Sequence, residues 1–181
     1  MLKVDPILLA EARATTVLTQ GLVLALIALA SAATLTTALL FQYVGGLRPC
    51  ELCHDQRFAH AAALALALAG AFLPWGRGMG TDWRPVFLAG AAAALLAGAL
   101  YAGIHVGVEE HLWNPLGCAT SGTGPITASD LASAFTKFGK AVPCDEKAWT
   151  LFGISMAGYN LAITLTLGVF ALVGLGRPVE R

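Results

Sequence analysis

Four long apolar runs, separated by polar stretches, leave this chain few ways to fold. They cover about residues 17–41, 58–75, 86–106 and 151–175. A helix of roughly 20 apolar residues crosses the ~30 Å hydrocarbon layer of a bilayer. Inside that layer every backbone N–H and C=O must be bonded within the protein, which leaves helices or closed barrels. Runs of this length predict an all-α membrane protein, a four-transmembrane-helix up-and-down bundle forming a single membrane domain over residues 1–181. Composition agrees: 57% of residues are hydrophobic and 12% are charged, against about a quarter charged in soluble domains. With zero formal net charge and no basic stripe, nucleic acid is not an expected partner. Ala30-Ser31-Ala32 resembles a signal-peptide cleavage site, but the apolar run continues through Leu35, Leu39 and Leu40. The first span is therefore expected to remain uncleaved.

Two loops, about 42–57 and 107–150, fall on one side of such a bundle and carry all four cysteines. Lys3, Arg13, Arg77, Arg84, Arg177 and Arg181 fall on the other side with both termini, and Arg48, Arg57, Lys137, Lys140 and Lys147 on the cysteine side. Lys137 and Lys140 lie far from the spans and weigh less, so the basic bias places both termini in the cytoplasm. The cysteines then face an oxidising compartment, where paired cysteines persist.

The first pair lies in Pro49-Cys50-Glu51-Leu52-Cys53-His54-Asp55-Gln56-Arg57. A helix starting just after Pro49 puts Cys50 at its N-terminal edge and Cys53 in its first turn. Unpaired N–H groups and the helix dipole there favour thiolate over thiol. Arg57, four residues beyond Cys53, shares that cysteine's face, and its permanent charge stabilises a thiolate. Glu51 acts in the opposite sense, and a protonated His54 in the same sense as Arg57. The second pair, Cys118 and Cys144, would close a loop of about 25 residues if bonded, which as a staple contributes roughly 3–4 kcal/mol. The glycines and prolines between them, Gly122, Gly124, Pro125, Gly139 and Pro143, read instead as a mobile arm carrying an exchangeable disulfide. Within that arm, Ser129 as N-cap and Leu131, Ala134, Phe135 and Phe138 at helical spacing predict a short surface helix.

Pro-Cys-x-x-Cys-x-x-x-Arg after a first span resembles the disulfide bond formation protein B (DsbB) family of bacterial inner-membrane oxidoreductases. The likeness continues in Gly103-Ile104-His105-Val106-Gly107-Val108-Glu109, in Cys118, in Pro143-Cys144-Asp145-Glu146 and in the stretch from Trp149 to Met156. Ala157 stands where many relatives have proline. The resemblance implies a quinone-dependent thiol:disulfide oxidoreductase, monomeric and multi-pass in the inner membrane, with both cysteine loops periplasmic. It implies a periplasmic thioredoxin-fold dithiol oxidase (DsbA-like) as partner and ubiquinone or menaquinone as cofactor. Cys118, bonded to Cys144, would receive the partner's thiolate. Electrons would pass to Cys50–Cys53, and Cys53 would meet the quinone beside Arg57 and His105, with no metal required.

Other readings are weaker. A zinc site of all four cysteines has ligand spacing only in its first pair. Purely structural cysteines, or a vitamin K epoxide reductase-like activity, whose family places its Cys-x-x-Cys differently among the spans, are the remaining alternatives. His60 is expected to face the bundle and bond a neighbouring helix. Trp75, Trp113 and Trp149 are expected in the interfacial aromatic belt, and Glu110 with His111 lacks the partners of a metal site.

Overall fold

The computed structural model describes residues 6–72, 82–113 and 143–176, with side chains of the first helix from Gln20 onward. Among the described residues there are four helices: α1 Pro6–Tyr43, α2 Glu51–Phe72, α3 Arg84–Glu109 and α4 Met156–Leu175. Successive helices run antiparallel. Gly70 near the end of α2 meets Leu24 of α1 and Phe87 of α3, and Gly174 near the end of α4 meets Val23 and Leu88. At the opposite end, Gln56 of α2 bonds His105 of α3.

Among the described residues, three segments are long and apolar enough to cross a membrane: Gln20–Tyr43, Arg84–Glu109 and Met156–Leu175. The second expected span is less apolar, because α2 opens with Glu51, His54, Asp55, Gln56 and Arg57. Its apolar part within the described residues is 58–72, and residues 73–75 lie outside them. Leu22, Leu29, Leu100 and Val173 are each more than half exposed, the outward-facing apolar surface that lipid requires. The buried seam is built of Leu24, Ile27, Leu88 and Leu95 with Ala63, Ala67, Ala92 and Ala171. Small side chains on α2 let the helices approach closely, as membrane packing demands in place of a water-driven core. One such close approach is at Gly98, where an added Cβ would stand 2.8 Å from Ala59 Cβ and 3.1 Å from Thr164 Cγ2.

The expected fourth span, 151–175, is corrected at its start. Thr150–Leu151 and Ile154–Ser155 pair as a short antiparallel hairpin, an exception to the all-helical expectation. Phe152 and Gly153 form its tip with φ of 50° and 80°. Two successive positive φ values match a tight hairpin turn, natural for glycine and uncommon for phenylalanine. Helix α4 begins only at Met156, with Ser155 as N-cap accepting from Gly158 N–H. Helix α3 extends the expected 86–106 span to Arg84 and Glu109. The surface helix expected around residues 129–138 lies outside the described residues.

Candidate redox centre

Helix α2 starts where Pro49 predicts, and Cys50 directly precedes it. Cys50 Sγ serves as a capping acceptor for Cys53 N–H at 3.3 Å, and its carbonyl accepts from His54 N–H. Both are free thiols, their sulfurs in a hydrogen-bonded contact of 2.7 Å. They precede the apolar part of α2. The hydrogen-bonded contact with Cys50 holds the Cys53 thiol below the ordinary value; burial opposes this, while the Arg57 charge adds to it. The same hydrogen bond and burial push the Cys50 thiol up. In the reduced pair Cys53 is therefore the more acidic of the two thiols.

Arg57 is fastened to α1 by hydrogen bonds to Gln42 Oε1 and to Ala38 O, the latter at 3.2 Å. Glu51 and His54 both point to the exposed side. His105, near the end of α3, is 5% exposed and places Nε2 3.6 Å from Cys50 Sγ. Glu109, one turn further on, lies 3.9 Å from the same Nε2. Glu109 Oε1 is the near oxygen, Ser155 also hydrogen-bonds the carboxylate, and Oε2 is buried without a partner among the described residues.

The second loop reaches the first pair. Cys144 is disulfide-bonded and 2% exposed, and it packs in one buried cluster with Cys50, Leu52 and Val108, with Cys53 and Ile104 against it. Its backbone also hydrogen-bonds with His105. Cys118 lies outside the described residues.

A cavity of about 470 Å³ opens beside these groups, with Phe41, Cys53, Arg57, His105, Met156 and Asn160 among its lining residues. Its size falls within the range of small-molecule sites. Trp149 forms part of its wall and packs on Phe41 at 5.1 Å and Tyr159 at 6.2 Å. Trp113 donates from Nε1 to Ile104 O at 3.1 Å, and Trp75 lies outside the described residues.

His60 bonds a neighbouring helix, as expected: Nε2 lies 3.0 Å from Asn160 Oδ1. Gln56 and Asn160 were missed by sequence reasoning, although both carry polar side chains in or beside apolar helices, a functional signal in its own right. Asn160 Nδ2 donates to Gln56 Oε1 at 2.7 Å, and Gln56 Nε2 donates to His105 Nδ1 at 2.9 Å.

Cys50, Cys53 and His105 bring ligand atoms within 4.8 Å of one another. A metal would need the Nε2 lone pair, but Gln56 donates to Nδ1, so Nε2 carries the hydrogen that faces the sulfurs. Cys144, held in a disulfide, offers no thiolate. Glu110 instead pairs with Lys147 at 2.5 Å.

Residues 20–174 match the family model described as "Disulfide bond formation protein DsbB". The chain is 36% identical over 152 residues to the disulfide bond formation protein B of Methylococcus capsulatus, covering 78% of this chain and 85% of the relative. It is 31% identical over 160 residues to that of Verminephrobacter eiseniae, covering 87% of each chain. With that of Actinobacillus pleuropneumoniae it is 30% identical over 165 residues, covering 86% and 82%. No solved structure matches the chain. Two adjoining cysteine centres at one end of an apolar helix bundle, matched by these relatives over most of its length, make this chain a member of the DsbB family of disulfide bond formation proteins.

Proposed function

We propose that this chain reoxidises a periplasmic thioredoxin-fold dithiol protein and passes the electrons to membrane quinone. The observation that carries the reading is the burial of Cys144 against Cys50, with Cys53 on the wall of the cavity. In this reading the second span is α2 with the residues beyond it, both loops are periplasmic, both termini are cytoplasmic, and the membrane is the bacterial inner membrane.

The partner's thiolate attacks Cys118, opening its disulfide with Cys144 and releasing the Cys144 thiolate. With the Cys50–Cys53 bond formed, the Cys144 thiolate attacks Cys50 Sγ, and Cys53 leaves as the thiolate that Arg57 favours. Attack of the partner's second thiol on the mixed disulfide releases the oxidised partner and the Cys118 thiolate. Cys118 then attacks Cys144 and restores the second disulfide, and Cys50 leaves. Two electrons now rest on the Cys50–Cys53 dithiol. A quinone, ubiquinone or menaquinone, supplies the acceptor, taking two electrons and two protons as the Cys50–Cys53 bond re-forms.

The cavity suits such a ring: its wall is largely apolar, and Arg57 and His105 supply the polar groups. Two of the five guanidinium N–H groups are engaged by α1, leaving donors for a quinone oxygen. The test is oxidation of a reduced thioredoxin-fold partner by the full chain with added quinone. Turnover by wild type, none by Cys53→Ser, and a raised quinone requirement in Arg57→Ala are expected. Turnover independent of quinone, or retained in Cys53→Ser, overturns the proposal.

A further inference from the structure

Hydrogen-bond direction runs one way from α4 to Cys50. Thr164 gives its hydroxyl hydrogen to the Asn160 carbonyl, so it does not supply the hydrogen between itself and His60 Nε2. His60 Nε2–H then donates to Asn160 Oδ1, which leaves Asn160 Nδ2 to donate to Gln56 Oε1. That contact turns Gln56 Nε2 towards His105, where it donates to Nδ1. A neutral imidazole accepting at Nδ1 carries its hydrogen on Nε2, and Nε2 lies 3.6 Å from Cys50 Sγ, in a position that Glu109 Oε1 at 3.9 Å and the Cys144 backbone also face. Reversing either amide alone would set two donors or two acceptors face to face, and as the two amides stand the chain runs towards Cys50.

We propose that Gln56, oriented by Asn160, is a positioning residue that locks His105 in the tautomer whose Nε2–H points at Cys50 Sγ, so that His105 stabilises negative charge on that sulfur. Under the proposed exchange sequence, on which this use rests, Cys50 leaves from its mixed disulfide with Cys144. A donor aimed at its sulfur favours that departure. The Arg57 charge cannot replace it, because Arg57 is tied to α1 and favours Cys53.

The experiment reads Cys50 itself, without quinone or partner. In full-length protein carrying Cys53→Ser, with the Cys118–Cys144 disulfide intact, the iodoacetamide alkylation rate of Cys50 is followed against pH. Besides His105, the titratable groups lining the cavity are Arg48, Arg57, His60, Glu109, Glu146 and Tyr159, and these are kept. Gln56→Met and His105→Ala are each expected to slow alkylation about tenfold below the thiol midpoint, shifting the profile up by about one unit. The double variant should be no slower than either single one, because Gln56 acts through His105. Asn160→Leu, which leaves α2 and α3 untouched, should shift the profile in the same direction. Multiplying effects in the double variant, or unshifted profiles in both Gln56→Met and Asn160→Leu, overturn the proposal. Because alkylation needs no quinone, its result stands apart from success or failure of the turnover assay.

Discussion

Gly98→Ala tests whether the seam between α2, α3 and α4 sets the geometry of the redox centre. The new Cβ would stand 2.8 Å from Ala59 Cβ and 3.1 Å from Thr164 Cγ2. Carbon atoms pack at about 3.5–4.0 Å, and Ala59 has no flexible end to swing away. The backbone of α2 must therefore retreat from α3 by about 0.7–1.2 Å. Ala59 lies one turn from Gln56, whose bond to His105 is 2.9 Å long. A retreat of that size takes the bond beyond hydrogen-bonding range. Overpacking of this kind costs about 1–3 kcal/mol, or roughly 3–10 °C of melting temperature for a chain of this size. Thermal unfolding in detergent micelles and the alkylation profile of Cys50 should shift together. Gly21→Ala is the control, since an added Cβ there meets nothing within 4 Å. A Gly98→Ala protein with unchanged melting temperature and unchanged Cys50 reactivity would refute the reasoning.

Gly107→Ala should displace Trp113, whose Cζ2 lies 1.9 Å from the position of the new Cβ. The bond from its indole to Ile104 O is lost, tryptophan emission changes, and the change should vanish in a Trp113→Phe background. The reduced Cys50–Cys53 pair should show a pH signature in alkylation and in stability. Because the folded-state value of Cys53 lies below the ordinary 9.0, its thiolate contributes stability that is fully present above 9.0 and is lost as pH falls through the folded value. Alkylation of Cys53 by iodoacetamide should persist below the range of a free thiol, and Arg57→Met should move that onset upward. An onset insensitive to Arg57 would remove the charge from the account.

Much of this protein follows from local sequence. Apolar runs dictate helices, because hydrocarbon leaves the backbone no other bonding partner. Pro49 and the Cys-x-x-Cys spacing put one sulfur at the edge of α2 and the other in its first turn, with Arg57 one turn on. His60, a polar ring in an alanine-rich helix, could be expected to bond a neighbour. The start of α4 was not legible: the stretch from Leu151 to Met156 is apolar enough to read as span, and only the positive φ values of Phe152 and Gly153 reveal a hairpin.

What the sequence by itself determined is the helices, the placement of the first cysteine pair and the chemistry those residues can perform. Only the tertiary structure decided that Cys144 shares a buried cluster with Cys50, that His105 contacts both, and that Gln56 and Asn160 lie beside its ring. Residues 56, 105 and 160 belong to three helices and share no periodicity. Their meeting depends on which helix faces turn towards one another, set by close contacts such as Gly98 against Ala59 and Thr164. Sequence spacing reports neighbours along one helix; the direction of a hydrogen bond between helices exists only once they have packed.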